Sequence, residues 1–173
     1  MSYKAEAEVS AELSELFDFF QDTTVTTQWV YNLKSIDVIN QQENFDAQYY
    51  VIYSTPWPVS DVSAVLDATW KYDHAKGLLK NSTISVAPGK YADDDFIHVP
   101  LISTENHFQK LEDGKIKMTI EVAIDHGYLL PDLVVDTISV ETFYLTLESL
   151  KKVDYKKYGG NVDLSAIDFS AIE

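Results

Sequence analysis

The chain has 173 residues, 46% of them hydrophobic, which suffices for one domain with its own core. Its formal net charge is −15, and all 13 basic residues are lysines. This charge repels nucleic-acid phosphates, and without arginine the chain has no bidentate donor for phosphate or guanine, so we expect no nucleic-acid partner. Because there is no cysteine, disulfides, thiolate metal sites and cysteine nucleophiles are excluded.

The N-terminal segment lacks the charged and then apolar pattern of a signal peptide. No stretch of the sequence is apolar over the length of a membrane span. Gly-rich phosphate loops, G-x-S-x-G elbows and H-E-x-x-H motifs do not occur. We therefore expect a cytoplasmic protein without a membrane span, a cofactor, a metal or a recognisable catalytic motif.

The first elements are predicted to be a strand followed by two helices. Tyr3, Ala5, Ala7 and Val9 alternate with polar residues, which is typical of a strand with one buried face. Ser10 then has the chemistry of a helix N-cap, ahead of the helical pattern in AELSELFDFF. A second short helix is predicted within QDTTVTTQWV.

A region of period-two hydrophobicity follows and predicts a meandering antiparallel sheet. Glu112-Asp113-Gly114 has the composition of a hairpin turn. The predicted strands are residues 45–53, 62–72, 78–86, 96–103 and 116–126.

The C-terminal region returns to a helical period after Pro131. We predict that this helix is apolar over more than one narrow stripe. One stripe is formed by Leu133, Val140, Phe143, Tyr144, Leu147 and Leu150, and a second by Val134, Ile138 and Leu145. We divide the chain into a domain of residues 1–153 and a tail of residues 154–173. The tail is too apolar to be disordered, so we expect it to dock on its own domain, on a partner subunit in a homodimer, or over a cavity mouth.

Several strings resemble one known family. They are YSTPWPVSD at 53–61, FIHVP at 96–100, the hairpin at 108–127 and LLPDLVVDTISVETFYLTLESLKK at 129–152. Together with the element order they resemble the bacterial START-like lipid-binding domains of the SRPBCC superfamily, which have the helix-grip fold also seen in the birch pollen allergen. The resemblance implies an α+β fold in the order β-α-α-β6-α, with a curved antiparallel sheet of about seven strands around a long C-terminal helix.

The resemblance also implies an apolar cavity between sheet and helix that holds a lipid, a sterol or a polyketide-like molecule. The sequence departs from the family pattern wherever the family has arginine. Val62-Ser63 replaces Arg-Asp, and His98 replaces an arginine. After Asp125, His126-Gly127-Tyr128 replaces a turn that resembles Pro-Gly-Gly. A polar role that arginine has in such cavities is therefore vacant here, or a histidine has taken it.

The candidate ligand-binding residues come from the strand positions that we expect to point inward and from the final helix. Aromatic residues and an adaptable methionine suit a ligand tunnel, although the same stripes also suit a filled core. The candidates are Tyr49, Val51, Leu66, Ala68, Trp70, Met118, Ile120, Val140 and Tyr144, with His98 and His126 as polar contacts.

Three further features carry alternatives. Asp125-His126 could form a carboxylate–histidine pair, but neighbours on a strand point to opposite faces, so we assign no catalytic residue. Asp93-Asp94-Asp95 has no metal-loop spacing and is interpreted as a solvated turn. Trp57 lies between two prolines where a strand ends, and it is predicted to pack over the sheet edge in preference to reaching the cavity rim.

These observations favour a non-catalytic protein that binds or carries an apolar small molecule. The alternative is an enzyme of the same superfamily, a cyclase or hydratase with His126 or His98 as base and Asp125 as its orienting group. A third hypothesis is an interaction domain whose cavity is filled by its own side chains.

Overall fold

The computed structural model describes residues 2–125, 132–160 and 162–167, and in the helix that starts at residue 132 it describes side chains from residue 139 onward. Its regular elements are β1 (Ser2–Val9), α1 (Leu13–Gln21), α2 (Thr23–Trp29), β2 (Leu33–Gln41), β3 (Ala47–Tyr53), β4 (Val62–Asp73), β5 (Leu78–Val86), β6 (Ile97–His98), β7 (Leu101–Lys110), β8 (Ile116–Asp125) and α3 (Asp132–Leu150).

The described strands form one eight-stranded sheet in the order β1-β8-β7-β5-β4-β3-β2, with β6 added alongside β4. Every pairing is antiparallel except that of β6, which runs parallel to β4. The predicted α+β architecture is confirmed. The sheet has eight strands instead of about seven, because β2 had not been singled out and the predicted strand at 96–103 is divided.

Pro100 divides that predicted strand. The amides of Ile97 and Val99 donate to the carbonyls of Asp61 (3.0 Å) and Ser63 (3.1 Å), so this short segment pairs with β4. Proline has no N–H to continue such a ladder. The chain therefore leaves β4 at Pro100 and enters β7, which pairs with β5 and β8.

The predicted N-cap of the first helix is wrong. Glu12, not Ser10, is the N-cap of α1, and its amide donates to Oε2 of Glu15 at 2.9 Å in a capping box. Asp22 begins α2, since its Oδ1 accepts from the amide of Thr24 at 3.0 Å. Acidic caps thus begin both helices, and the cap of α1 lies two residues later than expected.

The largest core cluster joins α1 to the sheet and to the segment after α3. The ring of Phe17 meets that of Trp70 edge-on at 4.8 Å, and the ring of Phe19 meets that of Tyr155 at 5.2 Å. Ile167 is 1% exposed within the same cluster. These contacts use apolar residues after α3, while the division of the chain into a domain and a tail stays a prediction.

The prediction that Trp57 packs over the sheet edge is wrong, because its side chain is 92% exposed. The loop around it closes on its own backbone. The amide of Val59 donates to the carbonyl of Pro56 at 3.0 Å, and the hydroxyl of Thr55 donates to the carbonyl of Ser60 at 2.7 Å. These bonds hold the loop together without using the indole, which stands at the tip.

The predicted apolar stripe of α3 is wrong at two positions. Val140 is 52% exposed and Tyr144 is 58% exposed. Phe143, Leu147 and Leu150 of the stripe do face inward. Beside them, Thr142 Oγ1 accepts from Asn32 Nδ2 at 3.1 Å and Thr146 Oγ1 accepts from the Tyr31 amide at 3.0 Å. Because the segment after α2 supplies these donors, threonines can lie on the inner side of the helix.

Candidate functional site

A cavity lies between the sheet and α3. Its volume, as bounded by the described residues, is about 270 Å³. Residues of both edge strands line it, among them Tyr3 of β1 and Ile36 of β2. Trp70, from β4 in the middle of the sheet, lines it as well. Strands at opposite ends of a sheet can reach one cavity only if the sheet curves around it. The inner side of α3 closes it with Ser139, Thr142, Phe143, Thr146, Leu147 and Leu150.

Six of the predicted ligand-binding residues lie together on the cavity wall. They come from β3, β4 and β8, and all except Ile120 belong to two neighbouring strands in antiparallel register. Their alternation places each on the inner face, as the period-two pattern predicted. The six are Tyr49, Val51, Leu66, Ala68, Trp70 and Ile120.

The other predicted residues do not meet there. Met118 is fully buried, and it belongs to the packed core with Phe108, its partner in the β7–β8 register. Val140 and Tyr144 lie on the exposed side of α3. His126 lies outside the described residues. The sequence therefore predicted the cavity-lining residues of the strands better than those of the helix.

His98 does not line the cavity, and both of its ring nitrogens are engaged. Its Nε2 accepts from the amide of Asp93 at 3.0 Å, so the ring proton lies on Nδ1, which is 2.7 Å from the hydroxyl oxygen of Ser63. Asp93 in turn accepts from the amide of Asp95 through Oδ1 at 2.9 Å, which makes an Asx turn. His98 and the acidic run therefore hold the loop between β5 and β7 against β4.

Four polar residues that were not among the predicted ligand-binding residues form a band across the cavity wall. On β5 and β7, Asn81 is opposite Asn106 and Thr83 is opposite Thr104. Nδ2 of Asn106 donates to Oδ1 of Asn81 at 3.2 Å, and the two threonine hydroxyl oxygens are 2.6 Å apart. We call these residues the amide–hydroxyl band. In the sequence these polar residues occupy every second position of their strands, as inward-facing residues do. They are hard to recognise because inward-facing strand positions are usually apolar.

No Asp, Glu, Lys or His side chain lines the cavity within the described ranges. Burial raises the pKa of Tyr53 to about 12 and also raises the pKa of Tyr49, so both phenols are neutral at physiological pH. Charged pairs such as Lys34 with Asp61, 2.8 Å apart, involve residues that do not line the cavity. The described lining is thus electrically neutral.

No protein-family model and no curated protein matches this sequence. Solved structures do match. A STAR-related lipid transfer protein from Xanthomonas axonopodis superposes with a TM-score of 0.76 at 17% identity, covering 87% of this chain and 83% of that one. The human StAR-related lipid transfer protein 5 gives a TM-score of 0.73 at 16% identity, covering 87% and 74%.

The chain has the START-like helix-grip fold. The Zhui aromatase/cyclase of a Streptomyces species has a TM-score of 0.59 at 10% identity, with 97% of this chain and 99% of that one covered. At such identities the likeness establishes the START-like fold and leaves the ligand open. The helices described here include none that is long and apolar enough to cross a membrane.

Proposed function

We propose that this protein binds an apolar small molecule in the cavity between the sheet and α3, and that it carries the molecule without chemical change. The observation that carries the proposal is the neutral cavity of about 270 Å³, lined mainly by aliphatic and aromatic side chains. An apolar cavity of about 150 Å³ already binds benzene, so this space suits a larger ligand. The START-like fold supports the same proposal, because proteins of this fold typically bind lipids or polyketides.

The cavity also bears on the two alternatives. An interaction domain whose own side chains fill the space does not account for this volume. For the cyclase or hydratase, the candidate base His98 holds Ser63 and Asp93 and does not line the cavity. That alternative then depends on His126, outside the described residues. Binding without catalysis is therefore the function that we propose.

The test is binding of a neutral fluorescent probe, N-phenyl-1-naphthylamine, which reports transfer into an apolar site. We expect saturable binding to the purified protein and displacement by long-chain lipids. Ala68 is 5% exposed on the cavity wall, so Ala68→Phe should lower probe affinity at least tenfold. Thr69 is the neighbouring residue and lies exposed on the other face of β4, so Thr69→Phe should leave affinity unchanged.

Native mass spectrometry with organic extraction should in parallel identify molecules that co-purify with the protein. Absence of saturable probe binding, together with no extracted ligand, would contradict the proposal. Equal loss of affinity in Ala68→Phe and Thr69→Phe would also contradict it, because the probe would then bind elsewhere than in the cavity.

A further inference from the structure

The amide–hydroxyl band has hydrogen-bonding capacity that the described residues do not use. Asn81 and Asn106 are each 8% exposed, and both line the cavity. Buried carboxamides in a sheet usually find partners for both of their ends, because a polar atom left without a partner is costly.

The direction of the two amides follows from one carbonyl group. Nδ2 of Asn81 is 3.3 Å from the carbonyl oxygen of Thr69, which can only accept, so the Asn81 nitrogen faces it. Oδ1 of Asn81 therefore faces Asn106 and accepts from Nδ2 of that residue at 3.2 Å. Among the described residues the Asn106 side chain makes this one hydrogen bond, through Nδ2, so its Oδ1 is left as an acceptor.

The threonine pair has the complementary group. Of the hydroxyls of Thr83 and Thr104, 2.6 Å apart, one donates to the other. The accepting hydroxyl retains its own proton, which is free for another acceptor. Thr104 and Asn106 are two residues apart on β7, about 7 Å along the strand, and point to the same face. The band therefore offers one acceptor and one donor, both uncharged.

Ionised ligand groups have no counterpart in this lining. A carboxylate or phosphate that enters the cavity gives up its hydration, which is costly unless a cation or several donors replace the water. No lysine or histidine among the described residues lines the cavity, and the chain has no arginine. An alcohol gives up less hydration, and its hydroxyl can donate to an amide oxygen.

We propose that the ligand is an uncharged molecule with an apolar body and a hydroxyl group that donates to Oδ1 of Asn106, while the threonine pair donates to an oxygen of the same ligand. This inference rests on the proposed function and narrows it to apolar alcohols, in preference to fatty-acid or phospholipid anions. Asn106 and the threonine pair then act as specificity-determining residues.

Three matched probes test the inference at pH 8 through displacement of N-phenyl-1-naphthylamine: 1-decanol, its methyl ether 1-methoxydecane, and decanoate. The ether keeps the oxygen acceptor and loses the donor. We expect decanol to bind about five- to tenfold more tightly than the ether, since one hydrogen bond contributes about 1 kcal/mol. Decanoate should bind more weakly than either.

Two variants locate the effect. Asn106→Leu should abolish the advantage of decanol over the ether and leave binding of the ether within twofold of wild type. Because this change also removes the partner of Asn81, the double variant Thr83→Val, Thr104→Val provides a second measurement. Replacing both partners by apolar groups of the same shape is nearly neutral for stability. This variant should weaken decanol and the ether alike, since it removes a donor to their oxygen.

The outcomes separate this inference from the proposed function. If the fluorescent probe binds and decanoate displaces it best, or if decanol and the ether bind equally, the inference is wrong and the proposed function stands. If decanol keeps its advantage in a folded Asn106→Leu variant, the assignment to Asn106 is wrong. If the fluorescent probe does not bind at all, the proposed function itself fails.

Discussion

Substitution of Ala68 by leucine separates a true cavity from a filled core by the sign of its effect on stability. Ala68 is 5% exposed and lines the cavity of about 270 Å³. Leucine adds three carbon atoms, which can enter this space without displacing a neighbour. At about 0.8 kcal/mol for each buried CH₂ group, Ala68→Leu should stabilise the fold by about 2 kcal/mol.

A matched control is present on the same strand. Ala64 is 4% exposed on the same face of β4, but it does not line the cavity. Leucine there must push aside packed neighbours, and overpacking of this kind typically destabilises by about 1–3 kcal/mol. The two substitutions are chemically identical, so a difference in sign reports only the space beside each alanine.

The assay is thermal and denaturant unfolding of both variants, with probe affinity measured on the same samples. For a chain of this length, about 2 kcal/mol corresponds to a rise in Tm of roughly 4–8 °C. Ala68→Leu should also weaken binding of the fluorescent probe, because leucine and probe compete for the same volume. If Ala68→Leu destabilises as much as Ala64→Leu does, the cavity is not available in solution and the reasoning from its volume is refuted.

Three further predictions concern substitutions at single positions. Burial raises the pKa of Tyr53 to about 12, so stability that is present below pH 10 should be lost as the pH rises to 12. Denaturant unfolding at pH 9 and 11.5 should show a loss of about 2 kcal/mol that is absent from Tyr53→Phe. Tyr155→Phe should lose about 1–2 kcal/mol in urea unfolding, because the buried Tyr155 hydroxyl donates to the Leu150 carbonyl at 2.8 Å; an unchanged midpoint would contradict this. Gly160→Ala should lower Tm more than Gly114→Ala, since both glycines have positive φ, but only at Gly160 would a new Cβ lie within 3 Å of another side chain.

The strand wall of the candidate site was predictable because strand geometry is local. Side chains alternate between faces with period two, so the apolar phase of residues 62–72 was enough to identify Leu66, Ala68 and Trp70 as inward-facing. The same rule missed Asn81 and Asn106. Polar residues in an inner phase look like a solvent face, and only their mutual hydrogen bond makes their burial acceptable.

Helix α3 shows the opposite case. Its apolar residues surround the helix, so the period alone does not select the side that is buried. Contacts from elsewhere in the chain make that selection: Asn32 donates to Thr142, the amide of Tyr31 donates to Thr146, and the ring of Phe143 stacks on Tyr3 at 5.6 Å. The side of the helix that faces inward therefore carries Thr142 and Thr146 beside Phe143, Leu147 and Leu150, while Val140 and Tyr144 face outward.

The sequence by itself determined the α+β class, the absence of arginine and cysteine, and the inner face of the apolar strands β3 and β4, because all of these follow from composition and short-range periodicity. The tertiary structure alone decided that the sheet curves around an open space instead of a filled core. It also decided which side of α3 closes that space and which polar atoms inside it have no partner among the described residues. Those features depend on pairings between residues more than twenty positions apart, such as Asn81 with Asn106 and Asn32 with Thr142, which no local pattern contains.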